Sequence, residues 1–264
     1  MVEYMEFKTK NMLLLCTDSL KGYGINRIFQ FAKEAGFDGI DLSVDPLLFD
    51  TLNGEYLKEL SEQYGLPIHA IAGPKGVSTK LIRQIVKIAK IVDSKVVVLQ
   101  PPRIHELKLQ NWIKKEVPKL REKEFISIAL ENAPAGTWLG LFPEHGMSNT
   151  QDLKNFKHIC LDTSRVAEKK KDLIRAYKVF SKFLVHVHLS NYHHGKKYSP
   201  PDQGLLPLES FLTKLKQDKY PGAISIKILP RHLKAGNDEE VVEELKRSRR
   251  YYEKYYANVE VEKE

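Results

Sequence analysis

The chain has 264 residues, 42% of them hydrophobic and 29% charged, a composition that is typical of a folded globular protein and excludes a disordered chain. The formal net charge of +8 permits anionic partners without choosing between phosphorylated metabolites and nucleic acid, and the basic residues are dispersed. Apolar runs such as Met12–Cys16 are far too short to span a bilayer, so we expect no membrane partner.

The two cysteines lie in predicted buried strands rather than in a disulfide pattern. Cys16 and Cys160 therefore favour a reducing compartment, and we expect a cytoplasmic protein. The abundance of Lys and Glu favours a thermophilic source.

Short apolar runs alternate with amphipathic segments along the chain. The predicted strands are, in order, Met12–Thr17, Gly39–Val44, Pro67–Ala72, Lys95–Gln100, Ile126–Glu131, His158–Asp162, Leu184–Ser190 and Ala223–Leu229. Predicted helices separate them, among them a helix over Lys170–Lys182 and a final helix that begins near Asn237. The polar stretch Asn191–Gly204 is predicted to be a loop.

Apolar strands that alternate with amphipathic helices predict a parallel sheet whose outer face is covered by the helices. Eight such pairs, with no linker between them, predict an α/β fold that is a single (β/α)₈ TIM barrel. We expect one domain over residues 1–264, with its site at the carboxyl ends of the strands.

Polar side chains lie within the predicted strands or at their ends, where the barrel has its mouth. They are Asp41, His69, Gln100, Glu131, Asp162, His188 and Lys227. Glu131 and Asp162 each end an apolar strand, where a buried charge is unfavourable without a partner. Alternation along strand seven places His186 and His188 on the same side. Two carboxylates and an imidazole from adjacent strands are a set that divalent metals accept.

Several motifs occur in a recognisable order: FAKEAGFDGIDLSV early, then ALEN, CLDT, VHVHLSN, LPLESFLTKL and YPGAISIKI. Over nearly its whole length the chain thereby resembles the xylose-isomerase-like barrel superfamily. That group includes sugar isomerases, keto-sugar 3-epimerases, inosose dehydratases and metal-dependent apurinic endonucleases. The resemblance implies the fold and the site better than it implies the substrate.

The resemblance implies that Glu131, Asp162 and His188 are ligands of a divalent metal (Mn, Mg, Co or Zn). The fourth ligand of the family, a glutamate in strand eight, is replaced here by Lys227. Exchanging a carboxylate for an ammonium favours weak or absent metal binding, with the ammonium between Glu131 and Asp162. The alternative is that Lys227 turns toward the substrate and leaves a three-ligand metal site with open positions for water. At the additional metal positions of the nucleases His69 fits, but Gln100 and Arg165 stand where histidines are expected.

From the resemblance we expect an enzyme of the sugar or sugar-phosphate isomerase and epimerase type, which transfers a proton next to a carbonyl. Glu131 would be a general base or a metal ligand, and Lys227 an acid or a stabiliser of an enediolate oxygen. The variant Glu131→Gln is expected to fold and to be inactive. The substrate-binding candidates are Asp41, His69, Gln100, Asn132, Arg165, His186, Asn191, Lys197, Arg231 and His232.

Lys197, Arg231 and His232 lie on late loops, where barrels often hold phosphate, so the small-molecule substrate is expected with or without a phosphate. A homo-oligomer is compatible with the sequence. The first alternative is a barrel that has lost catalysis and binds a small metabolite or a partner. A metal-dependent apurinic endonuclease is the least favoured alternative, because too many of its metal ligands are missing.

Purely structural roles are open for several of these residues. His69 could be a core histidine bonded to the backbone, and Asp41 could pair with a lysine. Glu131 and Asp162 could form a structural ion pair with Lys227 and Arg165. Near the end of the chain, nucleic acid could stack on four tyrosines that lie beside Arg249 and Arg250, namely Tyr251, Tyr252, Tyr255 and Tyr256. Some of these tyrosines also belong to a set of residues whose helical spacing predicts core positions instead. That set is Val241, Leu245, Ser248, Tyr252 and Tyr255.

Overall fold

The computed structural model of the protein describes residues 12–138 and 141–257. Its centre is a closed barrel of parallel strands, in which each strand pairs with the next along the chain and the first pairs with the last. The barrel strands are β1 Leu13–Cys16, β2 Gly39–Ser43, β3 Ile68–Ala72, β4 Val96–Leu99, β5 Ser127–Glu131, β6 Ile159–Asp162, β7 Leu184–Leu189 and β8 Ala223–Ile226. The predicted (β/α)₈ fold is confirmed.

Helices connect the barrel strands and cover their outer face. They are α1 Ile25–Glu34, α2 Gly54–Tyr64, α3 Thr79–Ile91, α4 Leu107–Glu124, α5 Thr150–Phe156, α6 Thr163–Glu168, α7 Leu173–Phe180, α8 Leu208–Gln217 and α9 Asp238–Tyr252. Within the described ranges no helix is long and apolar enough to cross a membrane.

The chain after β6 differs from the helix predicted over Lys170–Lys182. Helix α6 begins directly after the strand, because the Asp162 side chain accepts a hydrogen bond from the backbone N of Arg165. Lys170 then adopts a left-handed φ of 53°, and Asp172 caps the separate helix α7. The early start of α6 has a functional consequence, since it turns Arg165 toward the mouth of the barrel.

Alternate residues of the strands build two apolar cores. One set packs against the helices, and the smaller set lines the inside of the barrel. The inner set is Leu14, Ala70, Ala72, Val96, Val98, Ala129, Cys160 and Ala223. Most of these side chains are small, so the inside of the barrel also has room for polar side chains from the same strands.

The stretch predicted as a polar loop after β7 contains an antiparallel hairpin. Its strands are Asn191–His193 and Lys196–Ser199, with a turn at Gly195 that has a left-handed φ of 82°. Alternation of apolar residues is missing from this segment, and the hairpin therefore gave no strand signal. A second short hairpin, Thr137–Trp138 with Phe142–Pro143, follows β5.

In the last helix, four of the five predicted core residues, Val241, Leu245, Ser248 and Tyr252, are buried, but the fifth, Tyr255, is not. Helix α9 continues into a π-helical turn over Glu253–Ala257. The wider turn shifts the buried position, so Tyr252 and Tyr256 are 4% and 1% exposed while Tyr255 is only partly buried. Tyr255 instead packs on Tyr251, with ring centroids 4.8 Å apart.

Candidate functional site at the barrel mouth

Lys227 follows β8 directly, and its side chain turns into the mouth of the barrel. The ammonium nitrogen lies 3.0 Å from Glu131 Oε1 and 3.2 Å from Asp162 Oδ2. It also lies 3.2 Å from His188 Nδ1, and the ring of Tyr198 covers it at 5.5 Å from the ring centroid. The predicted position of the ammonium between the two carboxylates is confirmed.

Glu131 is fully buried, and each of its carboxylate oxygens has two partners. Oε1 lies 2.5 Å from His188 Nδ1 and accepts from Lys227. Oε2 lies 2.7 Å from the Arg165 guanidinium and 2.5 Å from Gln100 Nε2. Burial alone would raise the pKa of Glu131, but the positive charges around it outweigh burial and hold the pKa well below its usual value.

Arg165 joins the ends of three strands. Its guanidinium donates to the Asn132 backbone oxygen at 3.0 Å, to Gln100 Oε1 at 2.8 Å and to the Tyr198 hydroxyl at 3.2 Å. The residue is only 3% exposed. Arg165 therefore holds Gln100 and Tyr198 around the mouth as well as neutralising Glu131.

Asn132 ties the ends of β5 and β6 together. Its side-chain oxygen accepts from the Asp162 backbone N at 2.6 Å, and its Nδ2 donates to the Asp162 backbone oxygen at 3.1 Å. This reciprocal pair fixes Asp162 and Glu131 at adjacent strand ends, which sets the spacing that Lys227 fills.

A second polar layer lies below the first, deeper in the barrel. Asp41 Oδ2 lies 2.9 Å from His188 Nε2 and 3.1 Å from His186 Nε2, and Ser225 Oγ lies 2.9 Å from His186 Nε2. The alternative in which Asp41 pairs with a lysine is wrong, because these two histidines are its partners. Burial would raise the pKa of Asp41, but the neighbouring histidines lower it below its usual value.

His188 connects the two layers. Burial would lower the pKa of its imidazole, but the carboxylates of Glu131 and Asp41, one at each ring nitrogen, hold the pKa well above its usual value. His188 Nδ1 also lies 3.2 Å from the Lys227 ammonium, so the imidazole contacts both Glu131 and Lys227 in the upper layer and Asp41 in the lower one.

Two of the predicted site residues lie apart from the mouth cluster. His69 is the extra residue of a β-bulge in β3, since Ile40 pairs with Ile68 and Asp41 with Ala70. Within residues 12–138 and 141–257 no hydrogen bond joins its ring to the backbone, and burial lowers its pKa to about 4. Asn191 donates to the Pro201 backbone oxygen at 2.7 Å and so braces the loop after the hairpin.

The three late-loop residues lie at the rim. The Lys197 ammonium is paired with Glu168 of helix α6. His232 Nδ1 lies 3.0 Å from the Tyr198 backbone oxygen, and the exposed Arg231 donates from Nε to His232 Nε2 at 3.3 Å. Arg231 and His232 therefore adjoin the hairpin that carries Tyr198, whereas Lys197, in the same hairpin, pairs with helix α6.

Tyr198 is the contributor to the mouth that sequence reasoning missed. It lies in the hairpin after β7, has a left-handed φ of 54°, and contacts both Arg165 and Lys227. No periodicity marks it, because its position follows from the hairpin. Ser225 was also missed, although its place two residues before Lys227 in an alternating strand puts both side chains on the inner face.

The residues present do not fit the divalent metal that the family resemblance implies. The ammonium of Lys227 lies within 3.2 Å of an atom of each implied ligand, Glu131, Asp162 and His188. The two carboxylates carry a charge of −2, and Lys227 and Arg165 supply +2. A donor set that already contains its own compensating cations lacks the negative charge that holds a divalent ion.

A parallel α/β barrel with a polar site at the carboxyl ends of its strands defines a TIM-barrel protein. The chain belongs to the xylose isomerase-like TIM barrel family, whose model matches residues 29–251. No curated protein sequence matches the chain.

Solved structures of the same fold extend over almost the whole chain. One is a D-tagatose 3-epimerase-like protein, 20% identical, with a TM-score of 0.68 over 92% of this chain and 98% of that one. Another is D-psicose 3-epimerase from Clostridium cellulolyticum H10, 12% identical, with a TM-score of 0.71 over 92% and 99%. A third is a family 2 AP endonuclease from Brucella melitensis, 16% identical, with a TM-score of 0.65 over 84% and 94%. At these identities the likeness establishes the fold alone.

Proposed function

We propose that this protein is an enzyme that transfers a proton at the carbon next to the carbonyl of a sugar or sugar phosphate. The observation that carries the proposal is the position of the Lys227 ammonium at the mouth, where Glu131 and Asp162 hold it. The family and its epimerase-like structural neighbours support the same class of reaction.

The Lys227 ammonium would bind the carbonyl oxygen of the substrate in exchange for its contact with His188 Nδ1. When a proton leaves the neighbouring carbon, negative charge moves to this oxygen, and a fixed ammonium in a buried site stabilises the enediolate strongly. The Tyr198 ring and the two carboxylates hold the ammonium in place, so no reorganisation is needed as the charge develops.

Glu131 would exchange the proton through Oε2. In the free protein this oxygen accepts from Gln100 and Arg165, and its low pKa makes Glu131 a weak base. If Gln100, which is partly exposed, donated to a substrate hydroxyl instead, Oε2 would keep only its contact with Arg165. The loss of one donor would raise the basicity of Glu131.

The test is a panel of aldoses, ketoses and their phosphates incubated with the protein in deuterated water and followed by NMR. Deuterium should enter at the carbon beside the carbonyl of one class of sugar, and Lys227→Met should abolish the exchange. Lys214→Met, a change at a partly exposed lysine of α8 that pairs with Asp218, is the matched control. The absence of exchange across the panel, with and without added metals, would count against the enzyme proposal.

The second candidate is a barrel that binds a metabolite without turning it over. It is favoured by the saturation of Glu131, both of whose oxygens are fully engaged within the protein. A thermal-shift screen with the same panel separates the two candidates. Stabilisation by one compound without deuterium exchange supports binding alone.

A further inference from the structure

The mouth of the barrel contains two cations where the family resemblance implies a metal. The Lys227 ammonium lies between Glu131 Oε1 and Asp162 Oδ2, at 3.0 Å and 3.2 Å. A divalent ion binds carboxylate oxygens and imidazole nitrogens at about 2.0–2.2 Å. An ion at that distance from the same atoms would overlap the ammonium, so only one of the two cations can occupy the space.

The second cation is the Arg165 guanidinium, which covers the other oxygen of Glu131 at 2.7 Å. It also lies 3.6 Å from Asp162 Oδ2. The charges of Glu131 and Asp162 are therefore balanced by two permanent cations of the chain. A divalent ion entering the parent protein would make the group net positive, which is unfavourable in a buried site.

Lys227 is held in this place by more than its ion pairs. Tyr198 covers the ammonium with its ring, and the hydroxyl of the same tyrosine accepts from Arg165. Only 11% of the Lys227 side chain is exposed. Swinging the ammonium out would break both ion pairs and leave two carboxylates buried with one cation.

We infer that Lys227 permanently replaces the divalent ion at the site formed by Glu131, Asp162 and His188, so that this chain works with a built-in cation. One substitution should restore the metal site. Lys227→Glu changes the charge of the group from 0 to −2, from three carboxylates and one arginine, and supplies a carboxylate ligand. A divalent ion would then neutralise the group.

The test is calorimetric titration of Mn²⁺ into chelator-stripped protein. The parent should show no saturable binding in the micromolar range, and Lys227→Glu should bind at least roughly tenfold more tightly than the parent. Adding Asp162→Asn to Lys227→Glu should remove the new site. Lys227→Gln tests removal of the positive charge without a new ligand, and should gain less. Lys214→Glu is the matched control and should behave like the parent.

Two results would overturn the inference. One is micromolar or tighter Mn²⁺ binding by the parent that Asp162→Asn abolishes. The other is a folded Lys227→Glu variant, shown by an unchanged circular dichroism spectrum, that gains less than tenfold. If Lys227→Glu does not fold, the titrations of the parent and of Asp162→Asn decide, because they require no new residue at position 227. These readouts do not depend on turnover, so they stand apart from the proposed enzyme activity.

Discussion

The inside of the barrel is built in two different ways by the same strands. The inner apolar core, which includes Leu14, Val98 and Ala129, is held by shape and contains no charge. The mouth cluster of Glu131, Asp162, Lys227 and Arg165 is equally buried but is held by charge compensation. An apolar core tolerates a change that conserves volume, whereas a compensated cluster tolerates no loss of a single member. The comparison predicts different responses to mutation, pH and ligand.

The largest expected effect is at Glu131. Glu131→Gln leaves the buried cations Lys227 and Arg165 with Asp162 as their one carboxylate partner. The uncompensated buried charge costs about 3–5 kcal/mol of unfolding free energy. This replaces the expectation, drawn from the sequence, that the variant would fold as well as the parent. Urea denaturation measures the difference. Glu116→Gln, which changes a surface pair with Lys119, should leave the curve unchanged. Equal stability of the two variants would show that the cluster is not compensated as described.

The second effect is at Leu14 of the inner apolar core. Leu14→Ala opens a cavity and should cost about 2–5 kcal/mol in the same assay. Because no charge is involved, the loss should be the same at low and at high salt. Leu47→Ala, at a residue 86% exposed, should cost nothing measurable. If the stability lost in Leu14→Ala depended strongly on salt, the inner apolar core would not differ from the mouth cluster in the way described.

A smaller effect concerns pH and His158, which lies outside the mouth and bonds to Ser127 Oγ at 2.9 Å. Burial lowers the pKa of His158 to about 4, whereas an unfolded chain binds this proton near pH 6.5. Stability from the neutral ring is complete above about pH 6.5 and falls as the pH decreases toward 4. His158→Gln should flatten the pH dependence of the unfolding free energy in that interval. If the variant showed the same pH dependence of the unfolding free energy as the parent, His158 would not be the source of that dependence.

The smallest effect is expected at the rim. Arg231 is exposed, so Arg231→Ala should leave the unfolding free energy unchanged. The variant should weaken the binding of phosphorylated ligands by a few fold, since Arg matches phosphate with two hydrogen bonds. Neutral sugars should be affected less. Arg175→Ala, at an exposed arginine of helix α7, is the control. Equal losses for both ligand classes would argue against a phosphate site at this rim.

Much of the barrel could be predicted because its strands are continuously apolar. The expected strand Ile126–Glu131 is found as Ser127–Glu131, and the expected His158–Asp162 as Ile159–Asp162. The position of Lys227 followed from the family resemblance, which puts this residue where the family has its fourth metal ligand, beside Glu131 and Asp162.

Other parts of the site could not be read from the sequence, and each has a physical reason. Tyr198 reaches the mouth only because a hairpin folds back over it. A β-bulge removes His69 from the register that would have placed it beside Asp41. The bond between Asp41 and the two histidines spans the barrel, and one sequence contains no signal for which strands face each other across a closed sheet.

The buried thiols of β1 and β6 provide natural probes for local opening of the barrel. Both cysteines are free, and burial raises the pKa of Cys16 to about 12 and also raises that of Cys160. The thiolate is the nucleophile that attacks an alkylating reagent, so each buried cysteine reacts only when the surrounding strands separate. Pulsed alkylation followed by mass spectrometry thus measures the rate of local opening of the barrel at Cys16 and at Cys160. Equal alkylation rates mean that the barrel opens as one cooperative unit. Unequal rates identify which of the two strands, β1 or β6, separates from its neighbours more readily.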